Sequence, residues 1–392
     1  MVGHHREYGY LLKNLPRTSR TGVWIVSTLL ACIFFTVIGC KSSHTDSKSG
    51  EISFKDNHVV YTKWDDVFEN DTVIPFSFPD PSVEVYSINW LWLVPDGGYI
   101  IADLKAKKTI QTDAKGRFIR YIGGVGVGPG ELTRGTGRGV LGGDKNLYLF
   151  DFFTGRINKY IAPDYHFEKV FILTFYSQDY ILDDHGNFIH YTTQDPSVLH
   201  KIGPTGKILK KAFQVNNLNF RLFSARFQIG QLAEIPGEGF LFSYPEEYKV
   251  YWYNNDLNIK RVLYTTAHSR FFPEKAVFPN TLSPADYSPA HAKWWDSALR
   301  PGPLSYLGNG FFVQELFQFK KLELISFINI HDLNGTTYAV GLEEPFNNSY
   351  IRAAHNGYIY LVEDSVFDPA GNPTPVKLHR YKLKNSIFPK SK

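Results

Sequence analysis

Six times along this chain a turn residue, Gly or Asn, stands directly before an aromatic residue or a leucine that opens a short apolar strand. The openers are Tyr99 in "DGGYIIAD", Leu147 in "DKNLYLFD", Phe188 in "HGNFIHYT", Phe240 in "GEGFLFSY", Phe311 in "GNGFFVQE" and Tyr358 in "HNGYIYLV". Their spacings are 48, 41, 52, 71 and 47 residues. A period of this size is one supersecondary unit that cannot bury its apolar faces alone, and four-stranded propeller blades recur at this spacing.

Each opener is followed by a strand, a turn carrying Asp, Asn or Gly, and another strand, as in "TIQTDAKGRFIRYI", "VLHKIGPTGKILKK" and "VYWYNNDLNIKRVL". Such turn residues tolerate positive φ or cap a tight bend. The apolar set agrees, since 31 Phe and 24 Tyr against a single Met favour strands over helices. The sixth repeat ends early, at "VKLHRYKL", with room for a third strand, while "DTVIPFSFP" from Asp71 to Pro79 precedes the first repeat as an orphan strand. Pairing these two would close the ring and remove exposed edges. The expected fold is an all-β six-bladed β-propeller of four-stranded antiparallel blades, its last blade closed by an N-terminal strand.

The N-terminus is set apart from that domain. Arg6, Lys13, Arg17 and Arg20 precede a run of 17 apolar or small residues, Val23 to Gly39, which ends at Cys40 and a polar stretch, "KSSHTDSKSG". This pattern resembles the bacterial lipobox. The resemblance implies cleavage before Cys40 and a diacylglycerol on its thiol, and an uncleaved signal anchor is the alternative. Acyl chains contribute about 0.8 kcal/mol per buried methylene, so two or more hold a protein to a membrane without spanning it. The expected domains are a signal peptide over 1–39, a lipidated Cys40 with a polar tether over 40–57, and the propeller over 58–392. Cys32 and Cys40 are the only cysteines, so the exported domain has no disulfide. Removing residues 1–39 takes away four basic residues and one acidic residue and lowers the net charge from +4 to +1, which leaves no nucleic-acid footprint.

The segment "QTDAKGRFIRYIGGVGVGPGEL" resembles the NHL-type repeat of six-bladed propellers, especially those of lipid-anchored Bacteroidetes proteins. The matching residues are Asp103, then Asp113, Gly116 and Phe118, then Gly126, Gly128, Pro129, Gly130 and Glu131. The second blade, "LYLFDFFTGRINKY", matches moderately and the others only in pattern. The glycine-rich part has neither the third glycine of a dinucleotide fingerprint nor the lysine and hydroxyl of a P-loop. It reads as a crossing between blades.

Five residues are candidates for ligand binding. The fifth residues of the opened strands are Asp103, Asp151, Thr192, Tyr244, Glu315 and Val362; if these strands are innermost, the three carboxylates would ring one mouth of the channel. Such a ring suits a cation or polar ligand, and strand-end Asp is also a turn cap. The departure from the repeat, Thr265 to Pro303, holds "SPADYSPAHAKWWDSALRPGP", where Ser283 as N-cap and Pro284 at the first helical position predict a short helical insertion between blades four and five, reaching about Arg300. Trp294 and Trp295 lie on it and are adjacent, so they point to different sides. Asp183, Asp184, His185 and His190 read as a turn leading into a strand, not as metal ligands.

The expected function is a lipid-anchored, non-catalytic binding or scaffold module of the bacterial envelope, on the periplasmic or surface side: no catalytic constellation and no cofactor are expected, and the ligand is a glycan, a peptide or a protein. The alternative is a propeller-type hydrolase or lyase with a divalent cation in the channel.

Overall fold

The computed structural model describes residues 50–387 except 77, 79–82, 84, 152, 174–176, 178, 217–220, 222–231, 266–270, 273–298, 321–322, 347–350 and 367–373. The signal peptide, Cys40, the Trp294–Trp295 pair and the helix expected from Ser283 lie outside these residues, while Arg300 opens a strand.

The described chain starts with β1 (Gly50–Ser53), β2 (Lys55–Tyr61), a single turn α1 (Trp64–Val67) and β3 (Phe68–Phe76). Blade one follows as β4 (Trp90–Leu93), β5 (Tyr99–Asp103), β6 (Lys108–Thr112) and β7 (Phe118–Tyr121). A crossing with the two-residue strands β8 (Gly124–Val125) and β9 (Glu131–Leu132) leads to blade two: β10 (Arg138–Leu141), β11 (Leu147–Asp151), β12 (Arg156–Ile161) and β13 (His166–Ile172). Blade three is β14 (Asp179–Leu182), β15 (Phe188–Tyr191), β16 (Ser197–Ile202) and β17 (Ile208–Gln214). Blade four is β18 (Leu232–Ile235), β19 (Gly239–Ser243), β20 (Lys249–Tyr253) and β21 (Ile259–Tyr264). Blade five is β22 (Arg300–Gly308), β23 (Phe311–Lys320), β24 (Glu323–Asp332) and β25 (Thr336–Glu343), and blade six has β26 (Ile351–His355), β27 (Tyr358–Glu363) and β28 (Val376–Leu383).

Each blade is an antiparallel meander in chain order, and β3 supplies the fourth strand of blade six. It pairs antiparallel with β28 from Phe76↔Val376 to Phe68↔Leu383, so the expected closure is present. The core is divided into slabs between neighbouring blades. One joins blades six and one through Ile74, Phe76, Tyr99 and Leu378, and another joins blades three and four through Tyr191, Leu199 and Phe242.

Two features differ from expectation. The openers begin the second strand of each blade, not the innermost. It is β4, β10, β14, β18, β22 and β26 that touch one another in a closed ring. The second strands β5, β11 and β19 are buried along their whole length because both of their faces meet a neighbouring blade, which makes them the strongest apolar signal in the sequence. The second difference concerns the tether assigned to residues 40–57, part of which is strand. Strand β1 adds in parallel to the outer edge of blade four beside β21, and β2 does the same on blade five beside β25. Ile52 and Phe54 pack against the slab between these blades. With β3, the segment 50–76 straps blades four, five and six in succession. Backbone pairing to an open edge needs no apolar sequence pattern, which is why a polar stretch can become strand.

The glycine-rich stretch is the expected crossing, running from β7 at the rim of blade one to β10 at the centre of blade two. Gly130 has φ +72° and its missing Cβ would lie 2.7 Å from Phe167. At Gly126 a Cβ would lie 2.0 Å from Glu131 Oε2, and that carboxylate turns back to accept from the Gly128 amide at 2.8 Å. Glycine is required here so that the loop can fold onto itself and onto blade two.

Candidate functional site

Five of the six inner strands have four or five residues, and β22 has nine. In β10, a Cβ on Gly139 would meet Trp92 at 2.8 Å, and the Trp92 indole donates to the Gly139 carbonyl at 3.0 Å. This close approach leaves a central channel of about 840 Å³. All six inner strands contribute to its wall, among them Leu91, Val140, Ile181, Glu234, Tyr306 and Ala354.

Charged residues in the wall hold neighbouring strands. Asp179 Oδ2 accepts from the Leu232 amide at 2.9 Å, joining blades three and four, and its Oδ1 lies 3.9 Å from Arg138 of blade two. Arg352 of blade six donates to the Asn89 carbonyl at 3.1 Å, just before blade one. Arg380 is held by Asp71 through Nε at 2.6 Å. Glu234 in β18 has its carboxyl pushed up to about 7, first by burial and then by the charge of Asp184. It therefore changes charge near neutral pH inside a mostly apolar wall.

The expected ring of carboxylates at the channel mouth does not form, because its members lie in second strands, Asp103 and Asp151 at strand ends and Glu315 within β23, and none of them lines the channel. Asp103 is buried and its two oxygens accept from four backbone amides, those of Tyr86 (2.6 Å), Ser87 (3.1 Å), Lys105 (2.8 Å) and Ala106 (2.9 Å). Asp151 repeats the device, accepting from the Thr133 amide and hydroxyl and from the Phe153 amide. Each aspartate ties the turn after its own strand to the crossing from the previous blade. Asp103→Ala is expected to cost about 3 kcal/mol, because four partly buried amides lose a charged acceptor, and Asp103→Asn should recover part of it. The urea midpoint checks this, and a shift no larger than that of an exposed substitution would remove Asp103 from this role.

Glu315 is fully buried between blades five and six, where it accepts a long 3.4 Å bond from the Ile351 amide. Burial raises its carboxyl well above the ordinary range, and the neighbouring Glu344 adds to this. Asp183 accepts from the His185 and Asn187 amides, which makes "LDDHGN" a turn as expected. His190 is buried in β15 with its Nε2 3.2 Å from His200 Nδ1 in β16. Among the described residues no group of three or more His, Cys, Asp or Glu side chains converges to hold a metal ion.

The wall residues Asp179, Glu234, Tyr306 and Arg352 were not singled out in the sequence. A signal existed, since every inner strand sits just upstream of the turn before an opener, as in "LAEIPGEG" and "DYILDDHGN".

Six sheets in a ring around an open channel define a six-bladed β-propeller. The chain belongs to the DUF5128 family, described as a 6-bladed beta-propeller, whose model matches residues 41–288. No curated protein matches it. Among solved structures it is similar to a protein of Bacteroides fragilis named as an exported protein, with a TM-score of 0.60 and 14% identity over 86% of this chain and 100% of that one. It is also similar to a member of the DUF4221 family from Bacteroides vulgatus, with a TM-score of 0.56 and 9% identity over 81% of this chain and 98% of that one. At these identities the likeness is one of fold.

Proposed function

We propose that this propeller is a lipid-anchored module of the bacterial envelope, attached through Cys40, that binds a ligand in its channel without transforming it. The observation that carries the binding reading is the channel: about 840 Å³ falls within the range of small-ligand sites, and its wall is mainly apolar with a few convergent polar groups. Asp179, Arg352 and Arg380 in the wall are engaged in joining strands, which suits a rigid receptor. The envelope reading rests on the basic segment, apolar run and Cys40 pattern, and the similarly folded Bacteroides fragilis protein named as exported is in keeping with it. A short oligosaccharide or peptide fits the volume and the mixed wall.

A screen of oligosaccharides and peptides against the purified chain is expected to yield saturable binding. Ser305→Trp, which fills the channel from β22, should weaken it at least about tenfold with the unfolding midpoint unchanged. Binding that ignores this substitution places the ligand elsewhere. Stoichiometric Ca²⁺ or Zn²⁺ in the purified protein, with turnover of the bound compound, would replace this reading by the metal-dependent hydrolase or lyase. Cys40→Ser should abolish processing and lipidation, and a processed, acylated Cys40→Ser chain would sink the anchor.

A further inference from the structure

Exposed apolar side chains gather on the loops of blades one and two, away from the channel wall. Val125 and Val127 on the glycine-rich crossing are 60% and 69% exposed, Phe153 on the turn after β11 is 48% exposed, and Leu104 on the turn after β5 is exposed as well. The antiparallel alternation of strands brings these segments to one face. Contacts make them continuous. The Gly135 Cα lies against both the Lys107 carbonyl and Val125, since a Cβ there would sit 2.0 Å from the former and 2.7 Å from the latter. Arg156 donates to the Val127 carbonyl at 3.0 Å, and the Arg134 guanidinium lies 4.7 Å over the Phe153 ring.

The charge on this surface is mainly positive. Lys105, Lys107 and Arg134 are exposed around the apolar residues. Within blades one and two the nearby carboxylates point inward: Asp103 and Asp151 are buried on backbone amides, and Glu131 bonds within its own loop, while Asp364 just after β27 of blade six is exposed and lies near Lys105. Four exposed apolar side chains framed by cations, on a loop made rigid by close glycine contacts, form a preorganised docking surface.

We propose that this face of blades one and two docks an acidic, apolar-bearing segment of a partner protein, independently of the channel ligand. A partner with alternating carboxylate and apolar side chains would pair with Lys107 and Arg134 while covering Val125, Val127 and Phe153. A bilayer fits less well. Inserting the Phe153 ring into hydrocarbon would carry the guanidinium stacked on it out of water, which is costly. The described chain begins at Gly50, on the rim of blade four, across the ring from blade one.

The test uses the chain carrying Cys40→Ser, so that no acyl chain contributes, and two fluorescent peptides that alternate Leu with Glu or Leu with Lys. Saturable binding of the Glu peptide alone is expected, weakening with salt. Lys107→Glu with Arg134→Glu, and separately Val127→Asp, should each reduce it about tenfold while the urea midpoint stays in place. Equal binding of both peptides, no binding, or binding unchanged by these substitutions would overturn the proposal. So would flotation with vesicles of phosphatidylcholine and phosphatidylglycerol in equal parts that the same substitutions abolish while peptide binding persists. Because Ser305→Trp acts only in the channel, failure here leaves the channel reading intact.

Discussion

Ile74→Ala combined with Phe76→Ala is expected to remove most of the stability of the propeller. Both side chains are buried, at 5% and 3% exposure, and both pack into the slab between blades six and one with Tyr99, Val362 and Leu378. Truncations of this kind cost about 2–5 kcal/mol each, so the pair approaches the roughly 5–15 kcal/mol by which a domain is stable. The effect is large because of where the strand sits. β3 is the fourth strand of blade six, and without it β28 has an open edge and the slab between blades six and one is exposed on one side. Val73→Ala, on the exposed face of the same strand, should cost less than about 0.5 kcal/mol. Urea unfolding followed by tryptophan fluorescence compares the two. Similar midpoints for both variants would mean that the ring does not depend on this closure.

Acidification from pH 7 to pH 4 is expected to destabilise the protein through its buried histidines. Burial pushes His190 down to about 3, with the charge of His200 adding to the effect, and burial alone pushes His331 to about 3. His331 Nε2 lies 2.7 Å from the Tyr248 hydroxyl and its Nδ1 lies 3.0 Å from Thr337 Oγ1, so the neutral ring fills both positions. His200, also lowered by burial, sits beside His190 with Asp195 beyond it at 3.8 Å. The native pKa values lie below the ordinary value of about 6.5, so the unfolded chain binds more protons as pH falls. The stability these residues contribute is therefore complete above pH 6.5 and is lost as pH drops toward 3. At pH 4 the loss is on the order of 3 kcal/mol for each of His190 and His331. Glu234 works in the opposite direction, since its raised pKa penalises the fold at high pH and the penalty fades on acidification. The histidine part is isolated by comparing the pH dependence of the urea midpoint in the parent, His190→Gln and His331→Gln. Each variant should have a shallower slope between pH 6.5 and 4, whatever its stability at pH 7, and unchanged slopes would exclude the histidines as the cause.

Much of the architecture was legible because it is written in neighbouring residues. The Gly or Asn before each opener sets a turn, the run after it is apolar on both faces, and the recurrence fixes the blade count. The orphan strand before the first repeat was legible as the closing strand, since the last repeat lacked one. The candidate site was far less legible. Asp103 and Asp151 end equivalent strands as expected and Glu315 lies within the corresponding one, but the first two are consumed by backbone amides and the third is sealed between blades. Glu234 and Arg352, which do line the channel, lie in strands too short to show a period.

By itself the sequence determined an all-β ring of six units closed by its own N-terminal strand, because turn chemistry, strand burial and repeat spacing are local properties. Only the tertiary structure decided which strand of each blade is innermost, which carboxylates become caps, and that residues 50–61 strap two blades from outside. The reason is that radial position is absent from the apolar pattern: an inner strand and a second strand are both covered by neighbouring blades. An edge strand such as β2 pairs through its backbone, which every residue except proline carries in the same form.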